Sequence, residues 1–333
     1  MAEIAVTPEW VQGAVSFEQR DGWIKPWRLV FERRELFYPS QGLGSAAEKA
    51  AGVRLRFETD SSVVTLNIEP EGEERPLDLT CGPDIVQSAI LSAGEGEVTF
   101  GGLRADPAVY EIWLPQAGVV RLQSLAVPDN AFIRPGRHHR PRWVAYGSSI
   151  TQCGGAHSPA RTWPGIAARA HDLHLTCLGY GGNCDCDPVV AEMIADLPAD
   201  VITLKLGINI MAHNSFSPRT YQPAVIGMVR TIRRGHPLVP IGVVTAICSP
   251  PREQAKNAVG MSLSDYRTHT AEAVLRLRDF GDEHVHLFDG LDLLGPEDAG
   301  YLPDDTHPNA DGYELIGRRA AENVLPVLLD ELA

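Results

Sequence analysis

No stretch of this 333-residue sequence stays apolar for the ~20 residues that a membrane-spanning helix needs. Residues 1–8 have neither the basic start nor the apolar core of a secretory signal, so the expected compartment is the cytoplasm. Positive charge is scarce: 29 Lys and Arg face 43 Asp and Glu, a formal net charge of −14. That balance speaks against nucleic acid or an anionic membrane surface as partner. The only dense basic run, Arg134 to Arg142, reads as a solvated linker between domains. Cysteines number six, and without a secretory signal they are expected to be free thiols. Cys184 and Cys186 stand one residue apart, tighter than the usual zinc spacing, and no second Cys/His pair matches them; no metal and no cofactor are expected. Internal repeats and low-complexity tracts are also missing.

What is present is an ordinary globular composition, 44% apolar and 22% charged, long enough for two domains. Residues 1–135 and 143–333 are patterned differently. The first part alternates apolar and polar residues in short runs at 53–58, 63–68 and 119–125, separated by Gly- and Glu-rich turns. Period-two alternation buries one face of a strand, and many short strands with turns predict an all-β sandwich of jelly-roll type. After a linker at 136–142, compact apolar runs begin at 143, 173, 201, 241 and 285. Helical patterns follow them at 163–171, 188–196, 221–234, 263–280 and 312–329. Strands alternating with helices predict a parallel sheet covered on both faces, a three-layer α/β/α domain of flavodoxin-like form. Ligands gather at the carboxyl ends of such strands.

Four short motifs fall at that rim. They are Gly147-Ser148-Ser149-Ile150, Gly179-Tyr180-Gly181-Gly182-Asn183, Gly207-Ile208-Asn209, and Asp304-Asp305-Thr306-His307-Pro308. Between them they supply a nucleophile, a base and an acid to orient the base, the three roles of acyl transfer through serine. In their order and in their α/β setting, the four resemble the blocks of the SGNH/GDSL hydrolase family over about residues 142–330. The resemblance makes Ser149 the nucleophile, His307 the general base and Asp304 its orienting acid, with Asp305 a rival for that last role. It assigns the oxyanion hole to the backbone N–H groups of Ser149 and Gly182 and to the side chain of Asn209. The sequence departs from the family pattern twice: Ser148 stands where the family has aspartate, and Ile210 replaces the acid after Asn209.

Other residues carry weaker expectations. His157, Arg161 and His213 are candidates for lining an acyl or acceptor pocket. Trp163 reads more readily as core. Lys205, inside an apolar strand, reads as a paired structural lysine. Trp10, Trp23, Trp27 and Trp113 read as core or interface, with a sugar-stacking platform as the alternative. A sandwich ahead of an SGNH domain is similar to the layout of some carbohydrate esterases, which implies hydrolysis of a small acyl ester of a sugar or glycoside. The alternative is an acyltransferase moving an acyl group from an activated donor to an alcohol of a natural product. A third reading is an inactive carbohydrate-binding protein. In each case the partners are small molecules: an ester or acyl donor, and water or an alcohol as acceptor.

Overall fold

A computed structural model of the chain describes residues 1–136 and 139–332; Arg137 and His138 of the basic run, and Ala333, lie outside the described residues. The alternating runs of the first part pair into two antiparallel sheets. One has the order Ser16–Arg20, Trp23–Trp27, Leu122–Val127, Val63–Ile68, Glu97–Gly101, with Ala2–Ala5 also on Leu122–Val127. The other has the order Ile133–Pro135, Arg54–Thr59, Ala108–Trp113, Arg75–Cys81, Asp84–Leu91, with Val11–Gln12 also on Arg54–Thr59. Inner-facing residues of both sheets, among them Leu55, Phe57, Leu66, Leu79, Ile112 and Leu125, form one core. The sandwich expected from period-two patterning is therefore the observed one. The strand read at 119–125 begins later, at Leu122.

The second part builds a five-stranded, wholly parallel sheet in the order His174–Gly179, Arg142–Gly147, Val201–Lys205, Ile241–Val244, Val285–Phe288. The strand order reverses on either side of Arg142–Gly147, so the crevice for a ligand opens at the end of that strand, where Ser149 stands. The long helices are Trp163–Ala170, Pro188–Asp196, Pro218–Gly235, Leu263–Asp279 and Ala310–Asn323. Two differ from the expected spans. Pro218–Gly235 starts three residues earlier than read, at a proline in the first turn behind a Ser217–Thr220 capping box. The expected single helix over 312–329 is two, Ala310–Asn323 and Leu325–Leu329. Pro326 explains the break: its ring excludes the hydrogen bond and the carbonyl position that a continuous helix requires there.

The two halves meet through buried polar groups as well as apolar ones. Arg28 of the sandwich is fully buried, and its guanidinium donates to the carbonyls of Cys177 at 3.1 Å and Gly179 at 2.6 Å, and also to those of Ala46 and Lys49. The Tyr180 hydroxyl donates back to the Arg28 carbonyl. Gly42 lies so close to Asn183 that a Cβ there would meet the amide oxygen at 2.4 Å. The turn at 179–183 is thus braced from the sandwich side. The basic run corrects the reading of a solvated linker at one residue: Arg140 is buried on Glu111, while Arg134 pairs with Glu58 and Arg142 with Asp200.

Candidate active site

Ser149 opens a short helix, Ser149–Gln152, directly after the central strand. The entry is tight: a Cβ on Gly147 would meet the Thr151 hydroxyl at 2.2 Å, so no larger residue fits at the strand's end. Ser148 is buried, and its hydroxyl accepts the Ile150 N–H at 3.2 Å, the N-cap bond that an aspartate would also make. The Ile150 carbonyl in turn accepts the Trp163 indole N–H at 2.9 Å, which fastens the helix to the core.

His307 Nε2 lies 2.8 Å from the Ser149 hydroxyl. Its other ring nitrogen, Nδ1, lies 2.7 Å from Asp304 Oδ2. Asp304 Oδ1 also accepts the backbone N–H groups of His307 at 2.7 Å and Thr306 at 3.0 Å. The His307 N–H and ring bonds, above all, hold the Asp304 carboxyl down at about 2. The sequence left Asp305 as a rival, and the geometry separates the two. Asp305 takes a left-handed backbone, φ 61°, and its carbonyl accepts the Ser249 hydroxyl at 2.6 Å, whereas Asp304 faces the imidazole.

The candidate oxyanion donors converge on the same rim. Gly182 has φ 69° with open space where a side chain would stand, and its N–H makes no hydrogen bond among the described residues. The turn is held by Gln152, whose Oε1 accepts the Gly181 N–H at 2.9 Å, and by Asn183, whose amide donates to the Gly181 carbonyl at 2.6 Å. Asn209 is buried, and its Oδ1 accepts the Cys184 N–H at 3.2 Å. A backbone donor fixes which end of the amide is oxygen, so the NH₂ group is the end left for a ligand. Ser149 is the first residue of its helix, where the backbone N–H has no intrahelical acceptor. Ile210 is fully buried and packs in the core.

The remaining candidates are occupied elsewhere on the rim. His157 pairs with Asp311 at 3.1 Å and Arg161 with Glu314 at 3.2 Å, tying the loop after the nucleophile to the helix after His307. His213 pairs with Asp185 at 3.1 Å. Trp10, Trp27, Trp113 and Trp163 are buried in the core; Trp23 is half-buried beneath Arg121, 5.3 Å from its ring. Lys205 departs from its reading: it is buried, but among the described residues no carboxylate pairs with it, and burial pushes its ammonium down to about 8. The six cysteines are free, and burial pushes the thiols of Cys184 and Cys186 up. Two supports were not anticipated. Arg252 donates to the hydroxyls of Ser249 at 3.0 Å and Thr306 at 2.8 Å, and so steadies the turn that carries His307. Gln152 steadies the glycine turn. Neither has a local sequence signal, because the Arg252–Thr306 and Gln152–Gly181 pairs are distant along the chain.

Fold and site together define a serine enzyme of the esterase and acyltransferase class. The chain belongs to the GDSL-like lipase/acylhydrolase family, whose model matches residues 145–315. Residues 10–122 match a second model, the N-terminal domain of SsfX3. Among solved structures, the chain is similar to the salicylyl-acyltransferase SsfX3 from a tetracycline biosynthetic pathway, with 32% identity over 98% of each chain and a TM-score of 0.89. It also resembles a protein from Bacteroides ovatus named as a GDSL-like lipase, at 21% identity over 99% of this chain and 98% of that one, with a TM-score of 0.80. A family two carbohydrate esterase from Clostridium thermocellum shares the fold at 13% identity, over 96% and 99% of the chains, with a TM-score of 0.69. No curated protein matches the sequence.

Proposed function

We propose that this protein is an acyltransferase: it takes an acyl group from an activated donor onto Ser149 and delivers it to a hydroxyl group of a small molecule. His307 Nε2 accepts the Ser149 proton as the oxygen attacks the donor carbonyl. The negative charge that develops on the carbonyl oxygen falls among the N–H groups of Ser149 and Gly182 and the Asn209 amide. Asp304 holds the imidazole and offsets the charge it gains. The leaving group departs with the proton from His307, leaving acyl-Ser149. The acceptor hydroxyl then gives its proton to His307, attacks the acyl carbon, and releases Ser149 with its proton restored.

One observation favours transfer over hydrolysis: the 32% identity to an acyltransferase extends over both halves of the chain, whereas the carbohydrate esterase shares 13%. The second reading, a carbohydrate esterase resolving the same intermediate with water, is supported by the shared two-domain fold. Product partition separates them. An acyl donor is supplied with and without an alcohol acceptor, and ester and free acid are quantified. Transfer predicts ester as the main product once acceptor is present; free acid alone at every acceptor concentration refutes it. Intact-mass detection of acyl-Ser149, absent in Ser149→Ala and accumulating without acceptor, tests the shared first step.

A further inference from the structure

Where the sandwich meets the α/β half there is a cavity of about 370 Å³, lined among others by Arg56, Glu111, Arg140, Arg169 and Asp172. It borders the start of the Arg142–Gly147 strand, at the opposite end from Ser149, and the proposed reaction makes no use of it. Its charges do not balance. Arg54, Arg56 and Arg140 are 0%, 8% and 8% exposed, and all three bear on the single carboxylate of Glu111, itself 5% exposed. Glu111 Oε1 accepts Arg56 Nη1 and Arg140 Nη2, each at 2.7 Å, and Oε2 lies 3.4 Å from Arg54 Nε.

The nearby acids do not make up the difference. Asp172 reaches Arg140 only at 3.4 Å, and its side chain is 76% exposed, so water screens it. Asp78 is buried, with its oxygens committed to the Ser88 hydroxyl at 2.6 Å and the Ala160 N–H at 2.8 Å. Arg169 adds a fourth guanidinium, which donates to the carbonyls of Pro83 and Ala160. His174, close by, is held neutral by burial and by Arg54 and Arg140, which push its pKa down to about 3. Four Nε–H donors, on Arg54, Arg56, Arg140 and Arg169, are buried with no hydrogen-bond acceptor among the described residues. Orphaned guanidinium donors and excess buried positive charge are each costly, and a cavity lies between them.

We infer that this interdomain cavity binds a small oxyanion, one with at least two acceptor oxygens on a compact body, held by Arg56, Arg140 and Arg169. Guanidinium edges match phosphate, sulfate and carboxylate oxygens in pairs, and the anion neutralises the surplus that Glu111 leaves. Because it touches strands of the sandwich and the end of the Trp163–Ala170 helix, such an anion clamps the two halves together.

Calorimetric titration and thermal melting of the full chain with inorganic phosphate, sulfate and succinate, at ionic strength held constant with chloride, test this. The expected result is saturable 1:1 binding of at least one of the three, with a rise in Tm on the order of 2 °C or more. Affinity should fall at least tenfold in Arg56→Gln and in Arg169→Gln. Which anion binds tightest identifies the source, phosphate or carboxylate. The inference is overturned if none of the three binds saturably, or if both variants bind as wild type does. Should Arg56→Gln fail to fold, the half-buried Arg169→Gln decides alone. Turnover at Ser149 does not enter the readout, so failure here leaves the proposed acyl transfer untouched.

Discussion

Asn209→Ala separates transition-state stabilisation from folding. The side chain has two ends: Oδ1 satisfies the buried Cys184 N–H at 3.2 Å, and the NH₂ end is the proposed oxyanion donor. Losing the acceptor strands one buried donor, a cost of about 1–3 kcal/mol, which lowers Tm by a few degrees. Losing the donor removes one of the three groups proposed to face the developing charge, about 3 kcal/mol of barrier or 10²–10³ in kcat. Since ground-state binding gains little from a donor placed for the oxyanion, KM should stay within about threefold. The assay is steady-state hydrolysis of p-nitrophenyl acetate beside a melting curve. Ser148→Ala is the matched control, because it removes an N-cap next to the nucleophile, about 1 kcal/mol of stability, without touching the donors. It should keep its rate within about fivefold. The oxyanion reading of Asn209 fails if its alanine variant is no slower than the Ser148 one.

Three further outcomes follow from the geometry. Asp304→Asn should reduce kcat by on the order of 10²–10⁴, because an amide facing His307 Nδ1 favours the wrong tautomer, while Asp305→Asn, in a left-handed position that asparagine tolerates, should stay near wild type; equal losses would reinstate Asp305 as the orienter. Burial raises the Glu111 pKa, but Arg54, Arg140 and Arg56 overcome it and bring it to about 2; stability from this cluster is therefore present above pH ~4.3 and lost as pH falls toward 2, and Glu111→Gln should cost about 3–5 kcal/mol near neutrality in urea unfolding. Lys205→Met should stabilise the protein: burial pushes the Lys205 pKa down to about 8 from ~10.4 unfolded, so its penalty, on the order of 3 kcal/mol, is full below pH 8 and relieved toward pH 10. The Tm difference between this variant and wild type should narrow over that interval, and a pH-independent difference would refute an uncompensated ammonium.

Much of this was legible in the sequence, for reasons that can be named. Alternation with period two marks strands that bury one face, as in Val63–Ile68, whose Val64, Leu66 and Ile68 lie in the core, and the sandwich follows from it. Apolar runs alternating with helical ones fixed the parallel sheet, hence the rim on which Ser149, Gly182, Asn209 and His307 meet. The contact of Asp304 with His307 is local, three residues apart, and local geometry is what a sequence encodes best. What escaped is non-local and polar. Nothing near Arg140 announces that it will be buried on Glu111, nothing near Lys205 that no carboxylate among the described residues will pair with it, and nothing near Arg28 that it will cap carbonyls of the catalytic sheet. Such residues look like surface charges until distant strands enclose them.

The two departures from the family's acidic pattern gain a physical account from this difference between local and distant roles. The local task of an aspartate before the nucleophile is to cap the first turn, and the Ser148 hydroxyl performs it through Ile150 N–H. Ile210, following Asn209, is wholly buried, and any carboxylate there would need a cationic partner. Lys205, at the end of the strand that precedes Asn209, is a buried cation with which no carboxylate pairs among the described residues. Both departures leave an uncharged residue beside a proposed oxyanion donor, Ser149 in one case and Asn209 in the other. In a buried setting a like charge is felt strongly, so its absence works in the same direction as the N–H groups themselves. The serine and the isoleucine thus leave the proposed chemistry intact: the positions that lost their acids are those whose remaining tasks, a cap and a core contact, require no charge.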